Sequence, residues 1–218
     1  MLNDRITSLK KELIEYATLV ESMIEKGIKG LVNKDKDVLT EIIEENETKA
    51  NNFELELDEI CTTLIAQYEP RARDLRTILM VLKMNNDLER MADHAVNIAE
   101  SALYLIERPV IKPYMDIPRM GEITTTMLRN SIDSFINENA ELARQVCETD
   151  IDVDNLRSQI MRELITYMTS DNTTIERALH LLRISSNLER IADLSTNICE
   201  DIVFMVKGKI IKHHKDEI

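Results

Sequence analysis

Asn86-Asp87-Leu88-Glu89-Arg90-Met91-Ala92-Asp93 is one of two copies of the same stretch in this chain. One hundred residues later it returns as Ser186-Asn187-Leu188-Glu189-Arg190-Ile191-Ala192-Asp193, and between 81–100 and 181–200 nine of twenty positions are identical without a gap. The shared residues include Leu88/Leu188, Glu89/Glu189, Arg90/Arg190, Ala92/Ala192, Asp93/Asp193, Asn97/Asn197 and Glu100/Glu200. A repeat at about half of a 218-residue chain means two copies of one structural unit.

Each copy rides on a long apolar stripe. Met84, Leu88, Met91, Ala95, Ile98, Ala102 and Leu105 step 4-3-4-3-4-3, as do Ile184, Leu188, Ile191, Ser195, Ile198, Ile202 and Met205. That is the heptad spacing of helices packed side by side, and it predicts long helices over about 71–108 and 173–207. Working outward, Ile6, Leu9, Leu13, Tyr16, Leu19/Val20, Met23 and Ile24 predict an amphipathic first helix over 4–32, ending near Gly27-Ile28-Lys29-Gly30. Asn33 or Asp35 suits the cap of a second helix over about 35–67. Pro70 suits the first turn of the third. Pro109, Pro113 and Pro118 mark a linker at mid-chain. Beyond it, Ile123, Met127, Ile132 and Phe135 mark a fourth helix, Asp150 to about Met168 the end of a fifth, and Asp171-Asn172-Thr173 a turn and cap before the sixth. Gly208 and the basic tail Lys209, Lys212, His213 and His214 close the chain. The expected fold is all-α: six long helices in two tandem pseudo-symmetric three-helix bundles, divided as 1–110 and 111–218.

Composition agrees. Four Gly, four Pro and no Trp leave few turn formers, which fits long helices better than a many-stranded sheet. The net charge of −13 argues against general nucleic-acid binding, which requires cationic neutralisation of phosphates. Cys61, Cys147 and Cys199 lack CxxC spacing, so they read as small buried residues of a reducing compartment rather than a disulfide framework or zinc knuckle. The N-terminus carries no apolar signal region. The longest uncharged run, 60–68, is far short of the ~20 residues of a spanning helix, so a soluble, cytoplasmic chain is expected.

At ~100° per residue, Glu89, Asp93, Asn97 and Glu100 share one face, roughly opposite the core stripe, and Glu189, Asp193, Asn197 and Glu200 repeat the pattern. A charged outer face is ordinary for a surface helix. Carboxylates at i and i+4, however, repel and cost a few tenths of a kcal/mol. Neither Glu89 nor Glu189 has a basic residue at i±3 or i±4, and Asp93 and Asp193 have only Arg90 and Arg190. A cation would turn each repulsive pair into a ligand pair, since carboxylate oxygens suit hard metal ions. The preceding helix offers a facing set: Glu47, Asn51, Glu54 and Asp58 in the first half, Asp150 and Asp154 in the second. There the equivalents of Glu54 and Asp58 are Arg157 and Met161, so only the first pair of the stripe is common to both halves.

No ExxH pair of the di-iron bundles is present, nor a Gly-rich phosphate loop, GxSxG or HExxH. His94 is Leu194 in the second copy and reads as an ordinary partly exposed histidine. No residues nominate an active site, which leaves a carboxylate-bound di-metal enzyme as the weaker alternative to a binding protein.

Glu59-Ile60-Cys61, the run Tyr68-Glu69-Pro70-Arg71-Ala72-Arg73-Asp74-Leu75-Arg76 and Leu88-Glu89-Arg90-Met91-Ala92-Asp93-His94 resemble the first half of the PhoU family. Arg162-Glu163-Leu164-Ile165-Thr166-Tyr167-Met168, Leu188 to Asp193 and Asn197-Ile198-Cys199-Glu200-Asp201-Ile202-Val203 resemble its second half. The likeness spans the chain. It implies two pseudo-symmetric three-helix bundles and metal ligation through E/D-x-x-x-D motifs. On this sequence those ligands fall on Glu89, Asp93, Glu189 and Asp193, with Glu47, Asn51, Asp150 and Asp154 as facing contributors. Glu47 stands where the family usually has Asp. The metal implied is a divalent or trivalent cation: iron, zinc, magnesium or manganese. The resemblance further implies a homodimeric cytoplasmic negative regulator of phosphate uptake. It would link the ATPase subunit of the phosphate ABC transporter to the sensor histidine kinase of phosphate-starvation signalling. A relative regulating another ion transporter is the neighbouring alternative.

Overall fold

The computed structural model describes residues 2–207; Gly208 and the basic residues of the tail lie outside the described residues. The described chain is helical almost throughout. In order come α1 (Leu2–Asn33), α2 (Lys36–Glu41), a π-helical turn (Ile42–Asn46), α3 (Glu47–Tyr68), α4 (Ala72–Ile106), α5 (Asp116–Ile136), α6 (Ala140–Ser170), a 3-10 turn (Asn172–Thr174) and α7 (Ile175–Lys207). The segment α2–π–α3 is one helix with a bulge, which makes six long helices. α1, α3 and α4 pack on one another, as do α5, α6 and α7.

The two stripes predicted for α4 and α7 form the interior: every member is buried except Met205, which is half-buried. α4 and α7 also pack on each other. They run antiparallel, since Lys83 pairs with Asp201 at 3.0 Å and Tyr104 donates to Glu176 at 2.7 Å. α1 and α5 are antiparallel as well, with Arg129 bound to Glu21 and Glu25 and Gly121 seated on Ile28. These two self-pairings place a pseudo-twofold axis between the repeats, and the buried side chains of both halves merge into one continuous core.

Several boundaries differ from those expected, each for a physical reason. The first helix does not stop at Gly27 or Gly30 but continues through both to Asn33. Added Cβ atoms there would lie 3.2 Å from Ile98 and 2.6 Å from Leu39, so these glycines serve close helix approach rather than termination. Asp35 is the cap, its Oδ1 accepting from the Val38 N–H at 3.2 Å. Pro70 precedes α4 instead of sitting in its first turn, whereas Pro118 lies inside the first turn of α5, where its missing N–H costs no helical bond. The connection is held down by Lys112, which bridges Asp116 on α5 and Glu163 on α6. α6 begins at Ala140, capped by Asn139, and Asp171 caps the following turn through Thr173 N–H at 2.9 Å. Cys61 and Cys199 are buried and Cys147 half-buried, all as free thiols. No described helix is long and apolar enough to cross a membrane.

Candidate functional site

The acidic faces of α4 and α7 are only partly turned to solvent: Asp93, Asn97, Glu100 and Asn197 are exposed, whereas Asp193 and Glu200 are half-buried along with the two glutamates of the repeat. Each flanks the groove formed with the preceding helix, so Glu89 and Glu189 are half-buried; only 13% of the Glu189 side chain is exposed. The expectation of a face opposite the core is corrected to this extent. Burial, rather than repulsion alone, is the leading reason both carboxyls titrate above the ordinary glutamate value.

In the first groove, the Asn85 side-chain amide donates to the Glu54 carbonyl and to Asp58 Oδ1, both at 2.9 Å. These bonds set α3 against α4; Asn51, exposed, and Glu47, half-buried, lie on the next turns of α3 toward its N-terminus. The same bonds draw the Asp58 carboxylate toward Asn85, whereas Glu54 remains close enough to Glu89 to oppose its ionisation, as does Asp93. Arg90 Nη1 lies 3.9 Å from Asp87, and its charge still favours ionisation of Glu89. Under this groove sits Tyr16 of α1, wholly buried and stacked on Phe53 with ring centroids 5.4 Å apart. Among the described residues its hydroxyl finds no hydrogen-bond partner. Burial, together with the charges of Glu54, Glu89 and Asp93, holds that hydroxyl well above the ordinary phenol value. Glu54 and Tyr16 were not in the predicted ligand set. Glu54 was legible in the α3 stripe, but Tyr16, read only as a core residue, gave no such signal.

The second groove is built alike and charged differently. Cys147 Sγ lies 3.9 Å from the Thr196 carbonyl, with the charge of Asp150 beside the thiol, and this register sets Asp154 near Glu189 and Asp193. The Asp154 charge opposes ionisation of both Asp193 and Glu189. Here Arg157, at the position of Glu54, lies with Nη1 3.8 Å from Glu189 Oε1. Arg190 adds Nε at 3.7 Å from Glu189 and an Nη1 hydrogen bond of 3.3 Å to Asp193. In the first half the repulsion is thus eased only by the charge of Arg90, with no ion pair on Glu89 or Asp93 among the described residues. The expectation of unrelieved repulsion is corrected in the second, where Arg157 and Arg190 make contact. Of the two relieving arginines, Arg157 comes from the neighbouring helix, where same-helix spacing does not look.

His94 belongs to neither groove. Its Nδ1 meets Asn187 Oδ1 at 2.8 Å and joins α4 to α7.

The donors on these faces are oxygens, which suit hard cations such as Mg²⁺, Mn²⁺ or ferric iron better than soft ones. Among the described residues, no three Asp, Glu, His or Cys side chains already converge tightly enough to hold an ion. Binding would therefore require the mutually repelling carboxylates to rotate inward. The buried, unpartnered Tyr16 hydroxyl beside Glu54, Glu89 and Asp93 fits such a site, because an oxygen otherwise unsatisfied would gain a partner.

Two segments, 13–102 and 117–202, match the model of the PhoU domain. The chain is 40% identical over 204 residues to the phosphate-specific transport system accessory protein PhoU homolog of Aquifex aeolicus, covering 94% of this chain and 92% of the relative. It is 33% identical over 218 residues to PhoU homolog 2 of Thermotoga maritima, covering 100% of this chain and 92% of that one. The crystal structure of PhoU from Pseudomonas aeruginosa superposes with a TM-score of 0.91 at 30% identity, over 96% of this chain and 100% of the other. The phosphate transport system regulatory protein PhoU from Streptococcus pneumoniae superposes with a TM-score of 0.89 at 26% identity, over 97% and 100%. With its doubled Leu-Glu-Arg-x-Ala-Asp helices at the centre of two three-helix bundles, this chain belongs to the PhoU family.

Proposed function

We propose that this protein, an accessory component of phosphate transport, restrains phosphate uptake and phosphate-starvation signalling by physical contact. It joins the ATPase subunit of the phosphate ABC transporter to the sensor histidine kinase when phosphate is plentiful. The observation that carries the reading is likeness over nearly the whole chain to proteins named as accessory or regulatory components of phosphate transport. The long rigid helices suit this work, since they present fixed faces to partners and need no catalytic constellation. In this reading the protein works in the cytoplasm as a homodimer and is not an enzyme.

The acidic grooves add a cation to the proposal. The candidates to hold it are Glu89 and Asp93, with Glu47 and Asn51 on the facing helix, in one groove, or Glu189 and Asp193, with Asp150 and Asp154 on the facing helix, in the other. The cation would supply charge neutralisation and tie α3 to α4, or α6 to α7, stiffening the face offered to a partner. Half-burial of Glu89 and Glu189 supports this, because a carboxylate partly withdrawn from water beside another gains most from a cation.

Co-purification tests the adaptor role. Tagged protein from cells grown in high phosphate is expected to retain the transporter ATPase, the sensor kinase or both. A folded protein that captures neither at any phosphate level sinks the reading.

A further inference from the structure

The two grooves are pseudo-equivalent in backbone and unequal in charge. The first brings together Glu54 and Glu89, both half-buried, and Asp93, which is exposed, with no ion pair on any of them among the described residues and only the charge of Arg90 easing Glu89. In the second, Arg157 replaces Glu54, and Glu189 and Asp193 face Arg157 and Arg190 at 3.3–3.8 Å. The exchange of Glu54 for Arg157 reverses one charge between the two grooves.

We infer that the second groove carries its own counter-ion in the guanidinium of Arg157, and that cation uptake by this chain is confined to the first groove. This rests on the cation reading proposed above and narrows it from two sites to one. A guanidinium lying beside Glu189 occupies the space and the charge that a metal would use. To bind there, the ion would have to displace Arg157 and leave that guanidinium half-buried without its partner. In the first groove nothing must be displaced. The Tyr16 hydroxyl, fully buried and lacking a partner among the described residues, adds a neutral oxygen to the first groove, whereas Glu189 Oε2, a buried oxygen of the second groove without a hydrogen bond, lies 3.7 Å from Arg190 Nε.

Equilibrium dialysis against manganese(II) followed by elemental analysis counts ions per chain, and tyrosine-excited terbium(III) luminescence reports an ion near Tyr16. Glu89→Gln/Asp93→Asn is expected to lose the terbium signal and weaken manganese binding by about tenfold or more. Glu189→Gln/Asp193→Asn is expected to bind within about twofold of the parent. Arg157→Glu, which copies Glu54 into the second groove, is expected to roughly double the manganese bound per chain, whereas Arg157→Lys, which keeps the charge, is not. Circular dichroism confirms that each variant is folded, and the Arg157 variants leave the first groove intact as an internal standard.

Equal losses from the two paired variants, or unchanged stoichiometry in Arg157→Glu, overturn the asymmetry while leaving cation binding in place. A gain in Arg157→Lys as well as Arg157→Glu also overturns it, because the charge of Arg157 is then not what excludes the ion. Failure of the parent and every variant to bind either ion removes the cation reading itself.

Discussion

His94 on α4 and Asn187 on α7 meet at 2.8 Å across the pseudo-twofold axis, joining one copy of the repeated helix to the other. The symmetric contact does not exist, because the equivalent positions are Leu194 and Asp87. Tertiary packing has thus used a position where the copies diverge to fasten them together. A neutral hydrogen bond at a partly buried site contributes about 0.5–1.5 kcal/mol net. A double-mutant cycle with His94→Ala and Asn187→Ala, followed by urea denaturation, is expected to return a coupling of about 1 kcal/mol. A coupling near zero would mean the contact is incidental to holding the repeats together.

Asp87 makes stability depend on pH. Burial beside α7 pushes its carboxyl up to about 6, with Asp201 adding to the rise and Arg90 and Lys83 opposing it. A carboxyl raised in the folded state favours folding while protonated. That contribution is complete below the ordinary value of 3.8 and is lost as pH rises through about 6. Above pH 7 the ionised group is a cost, and Asp87→Asn relieves it by about 1–3 kcal/mol. The gap between variant and parent should shrink toward zero near pH 4. Nature has already made this exchange in the second copy, where Asn187 occupies the position. Thermal melts at pH 4.5 and 7.5 measure it, and equal effects at the two values would rule out the linkage.

Close helix approach ranks the glycines. An added Cβ at Gly30 would sit 2.6 Å from Leu39 Cδ2 and 2.7 Å from its Cγ, and at Gly121 2.9 Å from Ile28 Cγ1. Overpacking of this kind costs about 1–3 kcal/mol, partly offset by the roughly 1 kcal/mol that alanine gains over glycine in a helix. Gly30→Ala is expected to be the most destabilising, Gly121→Ala intermediate, and Gly27→Ala near neutral because Ile98 Cγ2 stands at 3.2 Å. Chemical denaturation of the three variants gives the order directly.

Lys112 straps the mid-chain connection to the second bundle. Its side chain is only 10% exposed and bridges Asp116, at 3.1 Å, to Glu163. Lys112→Met leaves two neighbouring carboxylates without their shared cation and is expected to cost about 1–3 kcal/mol. Adding Glu163→Leu should recover part of that loss, since one of the stranded charges is then gone. Proteolysis within 107–115 should be faster in the single variant than in the parent or the double variant, and indistinguishable rates would show that the strap does not order the connection.

The sequence alone determined that this is a doubled helical protein. The 4-3 steps from Met84 to Leu105 and from Ile184 to Met205 state which faces are buried, and a strict period leaves the chain little freedom to disagree. It also placed Glu89, Asp93, Glu189 and Asp193 together in pairs, because separations of four residues on a helix fix proximity without any tertiary knowledge. What faces those pairs was another matter. Tyr16 is 73 residues from Glu89, and Arg157 is 32 from Glu189, so neither contact has a local signature. The glycines of α1 likewise read as a helix end until Ile98 and Leu39 were seen packed against them. Local spacing decides which side chains share a helix face. Only the register between helices decides whether a carboxylate on that face looks at another carboxylate, as in the first groove, or at an arginine, as in the second.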